Sequence, residues 1–199
     1  MPRSKEVIEK IQQESKEKIL LAALHLFVKK GIQTSMQEIA KEAGVSKGLI
    51  FHYFTSKEIL ITEILDMGAK GSQAAMSEKL QQAMKPSEII SSISEMMVTA
   101  LTSDDYTTSM FLFSVQLSIS QPGPVIMQKL KESALPVNML SQLIFAAQQE
   151  GIAKSGDPDQ LALMYWAAVQ GLCCFVLSGM KLKLEKEDLN HILLSEGIK

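Results

Sequence analysis

The 199-residue sequence predicts an all-α protein of about nine helices, and three observations carry that prediction. Apolar residues recur at helical spacing in segment after segment. No stretch alternates apolar and polar residues between turn signals as a strand does. Glycine, proline and capping residues divide the chain between the periodic runs. An apolar share of 46% is enough for a real core and argues against disorder. The twelve methionines suit an irregular core or an adaptable apolar pocket.

The first clear helix is "SKEKILLAALHLFVKKG". Ile19, Ala22, Ala23, Leu26 and Phe27 fall on one stripe, Lys29 and Lys30 favour the C-terminal end, and Gly31 can take the left-handed stop position. "TSMQEIAKEAG" follows, with Ser35 and Glu38 spaced as a capping box. That helix buries Ile39, Ala40 and Ala43 and stops at Gly44 after about two turns. Val45 plugs the turn, and Ser46 caps a second short helix from Lys47 to about Tyr53. Thr55 or Ser56 then caps a longer one through "KEILITEILDMGAK". Beyond residue 70, helical patterns fill about 87–102, 105–119, 124–149, 158–178 and 185–196. Pro136 is expected to kink or divide the third of these.

The net charge of −2 hides an asymmetry. Residues 1–57 carry ten Lys/Arg against six Asp/Glu, a balance of +4, and the remainder carries −6. A basic first quarter on an acidic remainder points to a polyanion-binding module at the N-terminus. A two-turn helix, a glycine turn and a second short helix form the helix-turn-helix pattern, whose second helix enters the DNA major groove by its N-terminal end. Ser46, Lys47, Gly48 and Leu49 occupy that end. Lys47 can donate to guanine acceptors, Leu49 can touch a thymine methyl, and Gly48 permits close backbone approach. A lysine in a first helical turn opposes the helix dipole unless an anion lies nearby, and DNA is such an anion. Thr34, Ser35, Tyr53 and Lys57 suit phosphate oxygens, and His52 is placed close to the duplex. Ile50 and Phe54 are expected to face inward against Leu26, Phe27 and Ile39.

Those residues, "ILLAALHLFVKKGIQTSMQEIAKEAGVSKGLIFHYFTSKEIL" from Ile19 to Leu60, closely resemble the DNA-binding domain of the TetR family of transcriptional repressors. The apolar stripe, glycine stop, capped helix, "AGVSKG", aromatic–His–aromatic cluster and "SKE" appear in order over about a fifth of the chain. Two positions depart from the family pattern. Leu49 stands where threonine is frequent, and Phe51, also at the interface, stands where tyrosine is frequent. Both departures remove a hydroxyl and put the operator sequence in doubt.

The resemblance implies a helix-turn-helix DNA-binding domain over 1–66 and a helical ligand-binding and dimerisation domain over 67–199. It also implies a homodimer reading palindromic double-stranded operator DNA. The uncharged Leu161–Met180 stretch is then a natural dimer interface, with Ala167, Ala168 and Gly171 permitting close approach and "EKEDLNHILLSEGIK" as its companion. The implied small-molecule pocket has candidates in Met96, Met97, Met110, Phe113, Met139, Phe145 and Trp166. Few charges fall within 106–128, so the effector is expected to be apolar or amphipathic. Its entry would tilt Glu58–Lys70 and change the spacing between the two reading heads.

Other readings are weaker. No G-x-S-x-G, H-E-x-x-H, Walker loop or G-x-G-x-x-G motif occurs, and His25, His52 and His191 lack metal-ligand spacing, so neither an enzyme, a metal nor a cofactor is expected. Leu161–Met180 is long enough to span a bilayer but carries Gln170, Ser178 and two glycines, so the expectation is a cytoplasmic protein without a membrane partner. The alternatives are a helical interaction protein and a redox-responsive regulator using Cys173 and Cys174.

Overall fold

The helical spacings fold as helices. The computed structural model describes residues 5–81, 84–103, 105–133 and 137–195. Among these are ten: α1 (Lys5–Lys30), α2 (Met36–Glu42), α3 (Lys47–Tyr53), α4 (Lys57–Gln81), α5 (Pro86–Thr102), α6 (Tyr106–Ile119), α7 (Pro124–Ser133), α8 (Val137–Gln149), α9 (Pro158–Leu177) and α10 (Lys186–Leu193). The tenth arises because the 124–149 pattern is two helices, α7 and α8. Pro136 itself lies outside the described residues. Two helices outrun their sequence patterns: α1 begins at Lys5, well ahead of its apolar stripe, and α4 continues past Lys70.

The ends of the helices have local causes. Gly31 adopts φ 86° and its N–H donates to the Phe27 carbonyl, the left-handed stop foreseen after Lys30. Ser56, rather than Thr55, caps α4 by accepting from the Ile59 N–H. Asp105 accepts from the Thr108 N–H at the start of α6, and Asp157 accepts from the Asp159 and Gln160 N–H groups before Pro158 opens α9.

Three apolar clusters hold the helices together. The first joins α1, α2, α3 and α4, and also takes Met110, Phe113 and Leu117 from α6 and Ile126 and Leu130 from α7. Phe27 and Phe113 stack at its centre, with ring centroids 5.4 Å apart and planes 9° from parallel. Such a pair adds about 0.5–1.5 kcal/mol beyond its buried area. The second cluster is built from α5, α8, α9 and α10, and the third is a small group of Leu101, Leu112, Val115 and Cys173. Helix α6 is common to all three, since Phe111 packs on the second and third and Leu112 and Val115 belong to the third.

Helix α9 buries Ala162, Tyr165, Val169 and Cys173 and turns a second face outward. On that face Leu163 is 62% and Met164 61% exposed, with Ala167, Gly171, Cys174 and Phe175 also exposed and Ala168 half-buried. By length and composition alone α9 could cross a membrane. The neighbouring α8 adds Phe145, 56% exposed. The C-terminal segment expected beside α9 at an interface is engaged in part within the molecule. Leu189 and Leu193 of α10 are already buried in the molecule's own second core. Lys154 N–H to Leu193 O at 2.8 Å and Ser195 N–H to Ile152 O at 2.9 Å then pin the end of α10 to the turn before α9. Residues 196–199 of that segment lie outside the described residues.

Candidate nucleic-acid interface

The geometry starts from how α3 is anchored. Ile50 and Phe54 are fully buried in the first core with Leu26, Phe27 and Ile39, so one side of this seven-residue helix is fixed. Its other side must then face out. Ser46, Lys47, Gly48, Phe51 and His52 are all exposed, and Leu49 and Tyr53 are half-buried at the edges. The Ser46 hydroxyl accepts from the Leu49 N–H at 3.1 Å, closing the helix start. Among the described residues Lys47 has neither an ion-pair nor a hydrogen-bond partner, and it remains a free cation at the first turn. A side chain at Gly48 would meet only the Ser46 Oγ, at 3.9 Å, so the backbone there stays open. His52 rests edge-on against Tyr53, with centroids 5.5 Å apart.

Helix α2 supports this edge. The Ser35–Glu38 capping box is complete: Glu38 N–H donates to Ser35 Oγ at 3.2 Å and Ser35 N–H donates to Glu38 Oε2 at 3.0 Å. Lys30, at the end of α1, pairs with the same carboxylate at 3.1 Å. These contacts, the Ser35 backbone bond first and Lys30 second, hold the Glu38 carboxyl down at about 2. An open concavity of about 470 Å³ is lined by Ser35, Gln37, Glu38, Ala40, Lys41, Val45 and Lys47. Gln37 and Lys41, four apart and exposed, therefore share a surface with Lys47. Neither is among the contacts expected from the sequence, although their spacing on one face of α2 is a legible signal.

Two residues expected at phosphates have partners within the protein itself. Thr34 is only 4% exposed, and its hydroxyl donates to the Gly31 carbonyl at 2.9 Å, so its side chain serves the turn. Lys57 extends its ammonium to the Ile32 and Thr34 carbonyls at 2.7 and 3.4 Å, bracing the same turn. Short polar side chains often satisfy nearby backbone groups in this way.

The first part of this architecture has a family model. Residues 19–64 match the model described as bacterial regulatory proteins, tetR family. The RutR transcriptional regulator of Escherichia coli K12 is 30% identical over 162 residues, which cover 78% of this chain and 72% of RutR.

The chain belongs to the tetR family of bacterial regulatory proteins.

It is also similar to the AcrR transcriptional regulator of Shigella flexneri, 37% identical over 92 residues, or 46% of this chain. That match spans only 42% of AcrR, so the chain covers less than half the length of this relative. Among solved structures, AibR in complex with isovaleryl coenzyme A and operator DNA shares the fold. It has a TM-score of 0.73 at 20% identity, covering 89% of this chain and 94% of AibR. AcrR and RutR are transcriptional regulators, and the residues of this tetR-family chain that match the family model include the whole α2–α3 surface.

The seven expected pocket residues do not converge. Met97 belongs to the second core, on which Met96 and Trp166 also pack, whereas Met110 and Phe113 belong to the first. Phe145 points outward from α8, and Met139 is half-buried on the same helix. The Trp166 indole N–H is buried without a partner among the described residues. Burial pushes the Cys173 thiol up to about 12, and the neighbouring Cys174 adds to the shift, so Cys173 keeps its proton at neutral pH. Cys174 is exposed.

Proposed function

We propose that this tetR-family regulator is a repressor that binds palindromic operator DNA as a homodimer and is released by a small apolar or amphipathic effector. The observation that carries the reading is the first turn of α3. It offers Ser46, Lys47 and Gly48 to solvent from a helix whose opposite side is fully buried. A rigid, exposed, cationic turn suits a groove lined with acceptors. Ser35, Gln37 and Lys41 of α2 suit the flanking phosphates, and Leu49, Phe51, His52 and Tyr53 complete the contact zone.

The homodimer reading draws on the apolar outer face of α9 together with Phe145 of α8. A contiguous apolar face of this kind is suited to burial against a second copy. The functional division we propose is a reading head over 1–66 and an effector and dimer region over 67–199, acting in the cytoplasm. Met96, Met97 and Trp166 are the effector contacts favoured by shared membership of the second core, and the unpartnered indole N–H would donate to an acceptor on the effector. AibR, of similar fold, was crystallised with both operator DNA and a coenzyme A thioester, which makes a two-ligand regulator a reasonable model. A redox-responsive regulator rests on Cys174 alone, because Cys173 is protonated and buried.

Selection of bound duplexes from a random pool tests the proposal. The expected product is a pair of inverted half-sites with centres about 34–36 Å apart. Binding should weaken with salt, log K falling against log salt with a slope of about −5 to −7 for three or four phosphates per protomer. An asymmetric product, or no enriched sequence, would overturn it.

A further inference from the structure

The second core is not wholly apolar. Helix α5 runs a seam of hydroxyls along it, with Ser94 fully buried and Ser91, one turn earlier, half-buried. Ser94 Oγ lies 3.2 Å from the Tyr165 hydroxyl of α9, and Asn190 Nδ2 of α10 donates to Ser91 Oγ at 3.2 Å. Burial pushes the Tyr165 hydroxyl up to about 12, so the seam carries no charge at neutral pH.

Two atoms along this seam are buried without a partner among the described residues. Asn190 Oδ1 is at one end. At the other is Nε1 of Trp166, whose ring meets Tyr165 edge-on with centroids 5.6 Å apart. Buried polar atoms are rarely left unmet, and an unmet acceptor and an unmet donor in one core point to a guest that meets them. The charge of that guest is limited too. No charged residue is buried among the described residues, so an ionised group in this core would find no counter-charge and would be costly to bury. A hydroxyl is the neutral group that both accepts from an indole N–H and donates to an amide oxygen. Met84, Met96 and Met97, packed on or within the same core, are flexible enough to make room.

We infer that the second core takes an uncharged, hydroxylated amphiphile, with Trp166 Nε1 donating to one of its oxygens and Asn190 Oδ1 accepting from one of its hydroxyls. Its hydrocarbon part lies among the methionines. Asn190 thereby becomes a specificity-determining residue, because it separates a guest that donates from one that only accepts. That the guest is the effector rests on the regulator reading above, but its binding can be measured without DNA.

Trp166 is the chain's single tryptophan, so the isotope-labelled indole N–H of the full chain gives one resonance to follow by NMR. Three probes of similar length separate the terms: vicinal octanediol donates and accepts, hexyl methyl ketone only accepts, and octanoate accepts but is charged. The diol is expected to move the indole proton downfield and to bind about tenfold or more tightly than either of the others, the factor that one unmet buried group costs. Asn190→Leu should lower the diol's affinity to that of the ketone and leave the ketone's unchanged. An indole resonance unmoved by millimolar diol overturns the inference and removes Trp166 from the effector contacts. Octanoate binding as tightly as the diol overturns the uncharged class, and ketone binding as tightly overturns the part given to Asn190. If Asn190→Leu does not fold, the ratio of diol to ketone affinity in the parent carries that arm. A diol that binds as expected yet leaves affinity for the selected duplex unchanged supports the inference and defeats the effector reading, so the two failures are distinguishable.

Discussion

Helices α3 and α9 both leave much of their surface uncovered, but with opposite chemistry. Helix α3 is two turns long, held from beneath by Ile50 and Phe54, and its open side carries a serine, a free lysine and a glycine. Helix α9 is twenty residues long, and its open side carries Leu163, Met164 and Phe175 beside small residues. Water tolerates the first surface and disfavours the second. The contrast teaches that exposure alone says little. A charged, rigid edge suits a polar partner that comes and goes, and an apolar face suits a partner that stays.

That contrast can be broken at several points. The largest effect is expected from Phe54→Ala, which removes a fully buried ring beneath α3. It should cost about 3–5 kcal/mol in denaturant unfolding and abolish duplex binding. A variant of parental stability would mean that α3 is not anchored as described. Met164→Asp should raise the dissociation constant of the proposed homodimer about tenfold to a hundredfold, ~1.4–2.7 kcal/mol, while moving monomer stability little. Sedimentation velocity reads this directly, and unchanged association would remove α9 from the interface. Lys47→Ala should weaken binding to the selected duplex by ~1–3 kcal/mol and to random duplex by less. Equal losses in a fluorescence-anisotropy titration would make Lys47 a phosphate contact instead of a base reader.

The smallest effect concerns the cap of α2. The Glu38 carboxyl is held at about 2, below its ordinary 4.5, chiefly by the Ser35 backbone N–H and then by Lys30. A depressed folded-state value means that the ionised carboxylate stabilises the fold above about pH 4.5 and that this contribution is lost as pH falls towards 2. Glu38→Gln should therefore melt below the parent at neutral pH, and the two melting curves should converge across that acid window. A gap independent of pH would show that the charge is not what matters.

What the sequence made legible was mostly local. The capping box at Ser35 and Glu38, the glycine stop at Gly31 and the inward pair Ile50 and Phe54 depend on residues three or four apart or on one backbone angle, and all are found in the structure. What it concealed was pairing. A stripe of methionines and aromatics says that something covers them without saying which helix. The sequence alone therefore does not separate Met110 and Phe113 from Met97 and Trp166, although they belong to a different core. Phe145 is a pocket candidate by sequence, yet its place on α8 turns it to solvent. Thr34 and Lys57 illustrate a related point. Their polar groups suit phosphate, but a backbone carbonyl in the adjoining turn lies nearer. In α10 the short apolar pattern was correct, and only its destination differed.

The stacked rings of Phe27 and Phe113 have a practical corollary for anyone who would borrow the N-terminal segment as a portable module. Cut after α4, the segment would leave the face of Phe27 that met Phe113 open to water, along with the surfaces that received Leu117, Ile126 and Leu130. A chimera that transplants it would have to bring α6 and α7 as well, or supply a substitute roof of equal greasiness.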